Sequence, residues 1–157
     1  MKKNFLKNFK RIVVKIGSSL LISNDKFNNE WFKSFVDDII FLRNKKIEVL
    51  IVVSGAVSLG KNYLKINKKK LKIFEKQACA ACGQVILMNN FKKVFEKKKI
   101  KVAQILVTYF DIENRKNSLN SRETIIELLK CDTVPVINEN DTVSIDELKF
   151  GDNDRLA

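Results

Sequence analysis

Four short apolar runs, at residues 11–16, 49–53, 102–107 and 133–137, constrain the fold of this chain more than anything else in its sequence. They are strand-sized, rich in Val and Ile, and do not alternate apolar with polar residues. That pattern predicts strands covered on both faces. Helical periodicity fills the gaps. Residues 30–42 put Trp31, Phe35, Ile39 and Leu42 on one stripe. Residues 74–95 form a longer candidate, small in its first half and carrying Val85, Met88, Phe91 and Phe95 beyond. Residues 118–130 carry Leu119, Ile125, Ile126, Leu128 and Leu129. Strand, helix, strand, helix in order predicts an α/β fold with a mainly parallel sheet and helices on both faces. Pro135, the only proline, falls inside the fourth run, so that strand is expected to be irregular or at an edge.

The 157 residues suit one domain with no internal linker or repeat. A chain of that size can bury roughly 70% of its unfolded surface, enough for a real core. No apolar run approaches the roughly 20 residues that cross a bilayer. Asn4, Lys7, Asn8 and Lys10 break up anything resembling a secretory leader, so a cytoplasmic location is expected, with no membrane partner. The net charge of +12 comes from 30 Lys and Arg against 18 Asp and Glu. The lysines cluster in runs such as Lys68-Lys69-Lys70 and Lys97-Lys98-Lys99, at expected loops and helix ends and without an aromatic-basic stripe. That reads as a solvated surface rather than a nucleic-acid interface, and it favours acidic small molecules.

Cys79 and Cys82 form a C-x-x-C, but no second pair and no histidine exists to complete a tetrahedral metal site. The motif lies in a small-residue run, 77–83, so both cysteines read as small buried helix positions. With no histidine, His-based acid–base chemistry and Ser-His or Cys-His nucleophiles are excluded.

In open parallel sheets, ligands bind beyond the carboxyl ends of the strands. Here those ends carry Gly17-Ser18-Ser19, then Ser54-Gly55-Ala56, then Thr108 and Asp111, then Asn138-Glu139-Asn140-Asp141-Thr142. Lys15 stands two residues before Gly17, a cation beside a glycine turn whose amides can face an anion. No Walker loop or dinucleotide fingerprint is present. Gly151-Asp152-Asn153-Asp154 follows the fourth cluster. Its hard oxygen ligands suit a calcium or magnesium loop, but the EF-hand spacing is missing, and the cluster suits an ammonium group equally well.

Several stretches, in order and spacing, resemble the amino-acid kinase family, and within it the glutamate 5-kinase branch. They are Val-Val-Lys-Ile-Gly-Ser-Ser-Leu-Leu from Val13, Val-Ser-Gly-Ala-Val from Val53, Lys76-Gln77-Ala78 with Gly83-Gln84, the segment holding Thr108, Asp111, Arg115, Leu119, Asn120, Arg122 and Thr124, and the two Asn-Asp clusters. The first two are shared across the family. The two Asn-Asp clusters point to this branch rather than to acetylglutamate, aspartate, carbamate or uridylate kinases. Val53, where Ser or Thr is common, and Cys82, in place of an aliphatic residue, depart from the pattern.

The resemblance implies a three-layer sandwich and ATP-dependent phosphorylation of the glutamate γ-carboxylate to γ-glutamyl phosphate, the first step towards proline. It implies that Lys15 contacts the transferring phosphate of ATP, with Gly17 and Ser18 lending backbone amides. Ser54, Gly55 and Ala56 would hold the reacting end of glutamate. Asn138, Asp141 and Asn153 would hold its α-amino and α-carboxylate groups. Asp154 would orient Lys15, and Asp152 would support the substrate loop. ATP as co-substrate with Mg2+, L-glutamate as substrate, proline as feedback inhibitor and a homo-oligomeric state are the expected partners and assembly. Residues 1–157 are expected to be the N-terminal part of the kinase domain, without its nucleotide-binding second half or an RNA-binding-like PUA domain. A sibling amino-acid kinase, or a non-catalytic glutamate- or proline-sensing or basic binding module, is the alternative.

Overall fold

A computed structural model describes residues 9–23, 26–144, 153 and 156–157. Four parallel strands form the main sheet: β1 (Arg11–Ile16), β4 (Glu48–Val53), β5 (Lys101–Val107) and β6 (Thr133–Glu139). They lie in the order β1-β4-β6-β5. These are the four runs expected from the sequence, each extended by at most two residues at either end. A two-stranded antiparallel ribbon, β2 (Ile22–Ser23) and β3 (Lys26–Phe27), follows the short helix α1 (Ser18–Leu21).

The remaining helices are α2 (Asn29–Asn44), α3 (Ala56–Tyr63), α4 (Ile73–Lys97), α5 (Tyr109–Glu113) and α6 (Arg115–Lys130). Alternate residues of β4 divide the core. Val49, Ile51 and Val53 turn to a face covered by α2, α3 and α4, where Phe32, Val36, Ile39, Leu59, Leu87, Phe91 and Phe95 are buried. Leu50 and Val52 turn to the opposite face, with Val107 and Ile137, where Ile125 and Leu129 of α6 pack. Helices therefore lie on both faces, as expected.

The larger core centres on an aromatic cluster. The Phe32 ring lies 4.4 Å from Phe91, 5.0 Å from Phe27 and 6.0 Å from Phe95, centroid to centroid. In α2 the deepest stripe is thus Phe32, Val36 and Ile39, while Trp31 is partly buried and stacks on Phe35 at 5.4 Å. In α4, Leu87 is fully buried, whereas Val85 is 71% exposed.

Pro135 corrects one expectation: β6 is regular and central, not an edge. Its pairing with β4 begins at Val136, the residue after the proline, so the missing amide falls where that ladder starts.

Helices α3 and α4 cross backbone to backbone. A Cβ on Gly60 would stand 1.7 Å from the Cys79 carbonyl oxygen, and one on Gly83 1.7 Å from that of Ala56. The small-residue run is there to permit this approach. Cys79 is buried in the crossing, and burial pushes its thiol above the ordinary value, away from the reactive thiolate.

The lysines gather at helix ends for a related reason. Lys46, Lys65 and Lys99 adopt left-handed backbones, with φ of 63°, 53° and 59°. After each, an isoleucine amide reaches back: Ile47 to the Leu42 carbonyl, Ile66 to Lys61 and Ile100 to Phe95. Each is a Schellman-type helix stop with lysine where glycine is usual. No helix among the described residues is long and apolar enough to cross a membrane.

Candidate active site at the carboxyl ends of the strands

β1 and β4 run in register, Lys15 beside Val52 and Ile16 beside Val53. The Ser54 amide continues the ladder by donating to the Ile16 carbonyl at 3.2 Å. Lys15 shares its face of the sheet with Val52, so its side chain leaves β1 on the α6 side. Gly55 then turns the chain with φ of 111°, a conformation open to glycine at no steric cost. A Cβ there would also press on Ile22 Cδ1 at 2.9 Å and approach Ser18 Cβ at 3.5 Å. The turn after β4 thus packs on the turn after β1. Lys15, Gly17, Ser18, Ser54, Gly55 and Ala56 are brought together.

Gly17 differs from Gly55. Its φ of −72° suits any residue, and a Cβ on it would meet only Ser19 Oγ at 3.9 Å. Among the described residues nothing requires a glycine there, and the space beside it is open.

Asn138 and Asn153 are each 1% exposed, and Asp141 is 5% exposed. Buried polar groups need partners, and the two asparagines find each other. Asn153 Nδ2 donates to the backbone carbonyl of Val53, at the end of β4, and to Asn138 Oδ1 at 2.6 Å. Asn138 Nδ2 donates in turn to Gln84 Oε1 on α4, at 2.7 Å. The Asn140 amide donates to the Val107 carbonyl at 2.9 Å, tying the turn after β6 to β5. Ser144 Oγ donates to Glu139, which is itself buried.

Beside this network lies a cavity of about 290 Å³. Ala80, Ala81, Gln84 and Val85 of α4 form one wall, Gln104 and Leu106 of β5 another, and Glu139, Asn140, Asp141 and Thr142 the third. The volume suits a small metabolite. Of the expected site residues that the structure describes, only Asp141 lines the cavity. Asn138 and Asn153 lie behind it, and the Lys15 and Ser54 cluster stands at the neighbouring strand ends. Gly151, Asp152 and Asp154 fall outside the described residues.

Thr108 and Asp111, also at a strand end, form a helix cap. Thr108 Oγ1 donates to Asp111 Oδ2 at 2.6 Å, the Asp111 amide returns to Thr108 Oγ1 at 3.1 Å, and Asn117 Nδ2 donates to Asp111 Oδ1 at 2.8 Å. Those donors, the Thr108 hydroxyl first and its amide next, hold the Asp111 carboxyl below its ordinary value. Neither residue lines the cavity.

In the sequence Gln84 and Glu139 stand within motifs that carry the resemblance but without a ligand role of their own, and Gln104 stands in none. The available signal was position: Gln84 follows Gly83, the residue where α4 touches the turn after β4. Among the described residues, no group of three or more His, Cys, Asp or Glu gathers to hold a metal.

A lysine-glycine turn, a second glycine turn and a buried polar cluster gather at the carboxyl edge of one parallel sheet, where small ligands bind in open α/β folds. Residues 10–157 match the family model described as the amino acid kinase family, and the chain belongs to that family. It is 48% identical over 153 residues to a protein named Glutamate 5-kinase from Bartonella henselae, with 97% of this chain and 40% of that protein aligned. The Brucella anthropi Glutamate 5-kinase is 50% identical over the same length, at 97% and 40% coverage. That of Nitrobacter winogradskyi is 49% identical over 159 residues, at 100% and 42%. The chain thus spans about 40% of the length of the curated relatives it matches.

Proposed function

We propose that this chain supplies the amino-acid-binding part and the phosphate-facing lysine of an ATP-dependent kinase acting on the γ-carboxylate of L-glutamate. The observation that carries the reading is the Asn153–Asn138 hydrogen bond. It brings Asn153 against Asn138 at the end of β6, beside the cavity that Asp141 lines. Relatives named Glutamate 5-kinase, at 48–50% identity, support the choice of substrate.

The chemistry needs no general base. A glutamate side chain, with a pKa of about 4.3, is already an anionic nucleophile at neutral pH. One γ-carboxylate oxygen bonds to the γ-phosphorus of ATP as the bond to the bridging oxygen breaks. ADP leaves and γ-glutamyl phosphate remains. The task is to bring two anions together and stabilise charge spreading over the phosphoryl group, by positioning and a cation. Lys15 is that cation, and Asp154 its orienting partner. Gly17 leaves room for a phosphate beside its amide and that of Ser18. Ser54, Gly55 and Ala56 hold the reacting carboxylate, Asn138, Asp141 and Asn153 hold the α-amino and α-carboxylate end, with Asp141 taking the ammonium, and Asp152 supports the substrate loop. Mg2+ enters as the counter-ion of the nucleotide. Proline as a feedback ligand, homo-oligomeric assembly and a cytoplasmic location belong to the same reading, as does placing residues 1–157 at the N-terminal part of the kinase domain.

The test is hydroxamate formation by the protein as its complete reading frame encodes it, given ATP, magnesium, hydroxylamine and one candidate acid. Glutamate should be the preferred acceptor. Preference for aspartate or N-acetylglutamate would overturn the substrate assignment.

A further inference from the structure

The amide chain from Val53 to Gln84 has a fixed polarity. A backbone carbonyl can only accept, so the Val53 oxygen fixes Asn153 Nδ2 as the donor end. The two hydrogens of Asn153 Nδ2 serve the Val53 carbonyl and Asn138 Oδ1. Asn138 must then offer Nδ2 to Gln84, and Gln84 must answer with Oε1. Flipping either amide would set donor against donor or acceptor against acceptor. The Gln84 nitrogen is thereby turned away from the chain. Nε2 is buried and has no hydrogen-bond partner among the described residues, while Gln84 lines the cavity that Asp141 also lines. A buried donor without a partner is unfavourable, and an acceptor arriving with a ligand relieves it.

Resting on the functional reading above, we propose that Gln84 is a substrate-binding residue whose Nε2 donates to the α-carboxylate of the amino-acid substrate. The two charged groups on the substrate's Cα are adjacent, and one small cavity is lined by both Asp141, whose carboxylate suits the ammonium, and Gln84, whose buried amide nitrogen suits the carboxylate. The strand-end carbonyl of Val53, through two asparagines, dictates that this wall of the cavity offers a donor and so selects an anion there. Neither Oε1 nor a hydrophobic residue at this position would do so.

The experiment compares L-glutamate with its α-amide, by calorimetric binding to the complete protein, in wild type, Gln84→Glu and Gln84→Met. Gln84→Glu keeps the acceptor that Asn138 needs and replaces the donor with an anion. It should weaken L-glutamate binding by about 30-fold or more, as for one member of a desolvated polar pair. Binding within threefold of wild type, in a folded protein, would overturn the proposal. Gln84→Met keeps the length and removes both polar atoms, and it provides the reading if Gln84→Glu does not fold. The preference for L-glutamate over the α-amide should fall about tenfold in Gln84→Met. A purely structural glutamine would weaken both ligands equally, and an unchanged ratio would overturn the proposal. Wild-type protein that binds no glutamate overturns both the functional reading and this one. Wild-type binding with an unaltered ratio in the variants overturns this one alone.

Discussion

Gly83 sits against the carbonyl of Ala56 so closely that a Cβ would stand 1.7 Å from the oxygen and 2.7 Å from the Gly60 amide nitrogen. This one contact joins the turn after β4 to α4, and the next residue of α4 is Gln84, hydrogen-bonded to Asn138 at the end of β6. The geometry of the site therefore depends on two helices touching through their backbones.

Gly83→Ala should accordingly force α3 and α4 apart. Overpacking usually costs about 1–3 kcal/mol, and a clash with backbone belongs at or above the top of that range. Urea denaturation should show a loss of about 3 kcal/mol, or no cooperative folding. Gly17→Ala is the contrast, because its Cβ meets only Ser19 Oγ at 3.9 Å. Its stability should stay within about 0.5 kcal/mol of wild type. If a phosphate approaches Gly17, the same variant should raise the Michaelis constant for ATP.

Lysines occupy left-handed positions that glycine adopts without strain. Lys46→Gly and Lys99→Gly should each stabilise the protein by about 0.5 kcal/mol. The left-handed penalty of roughly 1–2 kcal/mol is relieved, and the added unfolded-state freedom of glycine offsets part of it. Denaturation midpoints that fall instead would show that the lysine side chains hold these helix ends.

Asp111 gives the fold one acid-sensitive joint. Its carboxyl is held below the ordinary value by Thr108 and Asn117. A depressed folded value means the stabilisation is complete above the unfolded pKa of about 3.9, and is lost as pH falls through the folded value below it. Asp111→Asn should be less stable than wild type at pH 7, and the gap should close below about pH 4. Thr108→Ala removes the cap's other half and should cost about 1 kcal/mol. A gap independent of pH would show that the Asp111 charge contributes nothing.

Much of this was legible in the sequence, because strands buried on both faces leave an unmistakable apolar run and their ends leave glycine and polar clusters. The parallel sheet, its helices on both faces and the gathering of Lys15, Gly17, Ser54 and Gly55 follow from that. Elements set by tertiary contact were not legible. Helix α3 holds Gly60, a poor helix former, and exists because α4 packs on it. The ribbon of β2 and β3 is too short to leave a period. Val85 and Leu87 were not separable by hydrophobicity, since both suit a core, and the direction of the crossing buries one and exposes the other. Pro135 misled because a proline argues against a central strand unless the ladder begins just after it. Gln84 was hidden for another reason. A glutamine on a helix reads as surface until the partner amide, 54 residues away in sequence, is placed beside it.

If one strand end handles the phosphoryl group while another holds the amino acid, two single-residue variants of the complete protein should separate the two jobs in steady-state kinetics. Lys15→Ala should lower kcat by a factor of about 100 or more, the usual effect of removing a preorganised charge at a developing anion, and leave the glutamate KM little changed. Asp141→Asn keeps the turn and loses the charge proposed to meet the substrate ammonium. Loss of one member of a desolvated charge pair costs about 2–5 kcal/mol, so the glutamate KM should rise at least about 30-fold, with the ATP KM and the thermal midpoint nearly unchanged. Opposite splits in the two variants are the predicted result. Near-normal turnover in Lys15→Ala, or unchanged glutamate KM in Asp141→Asn, would contradict the account.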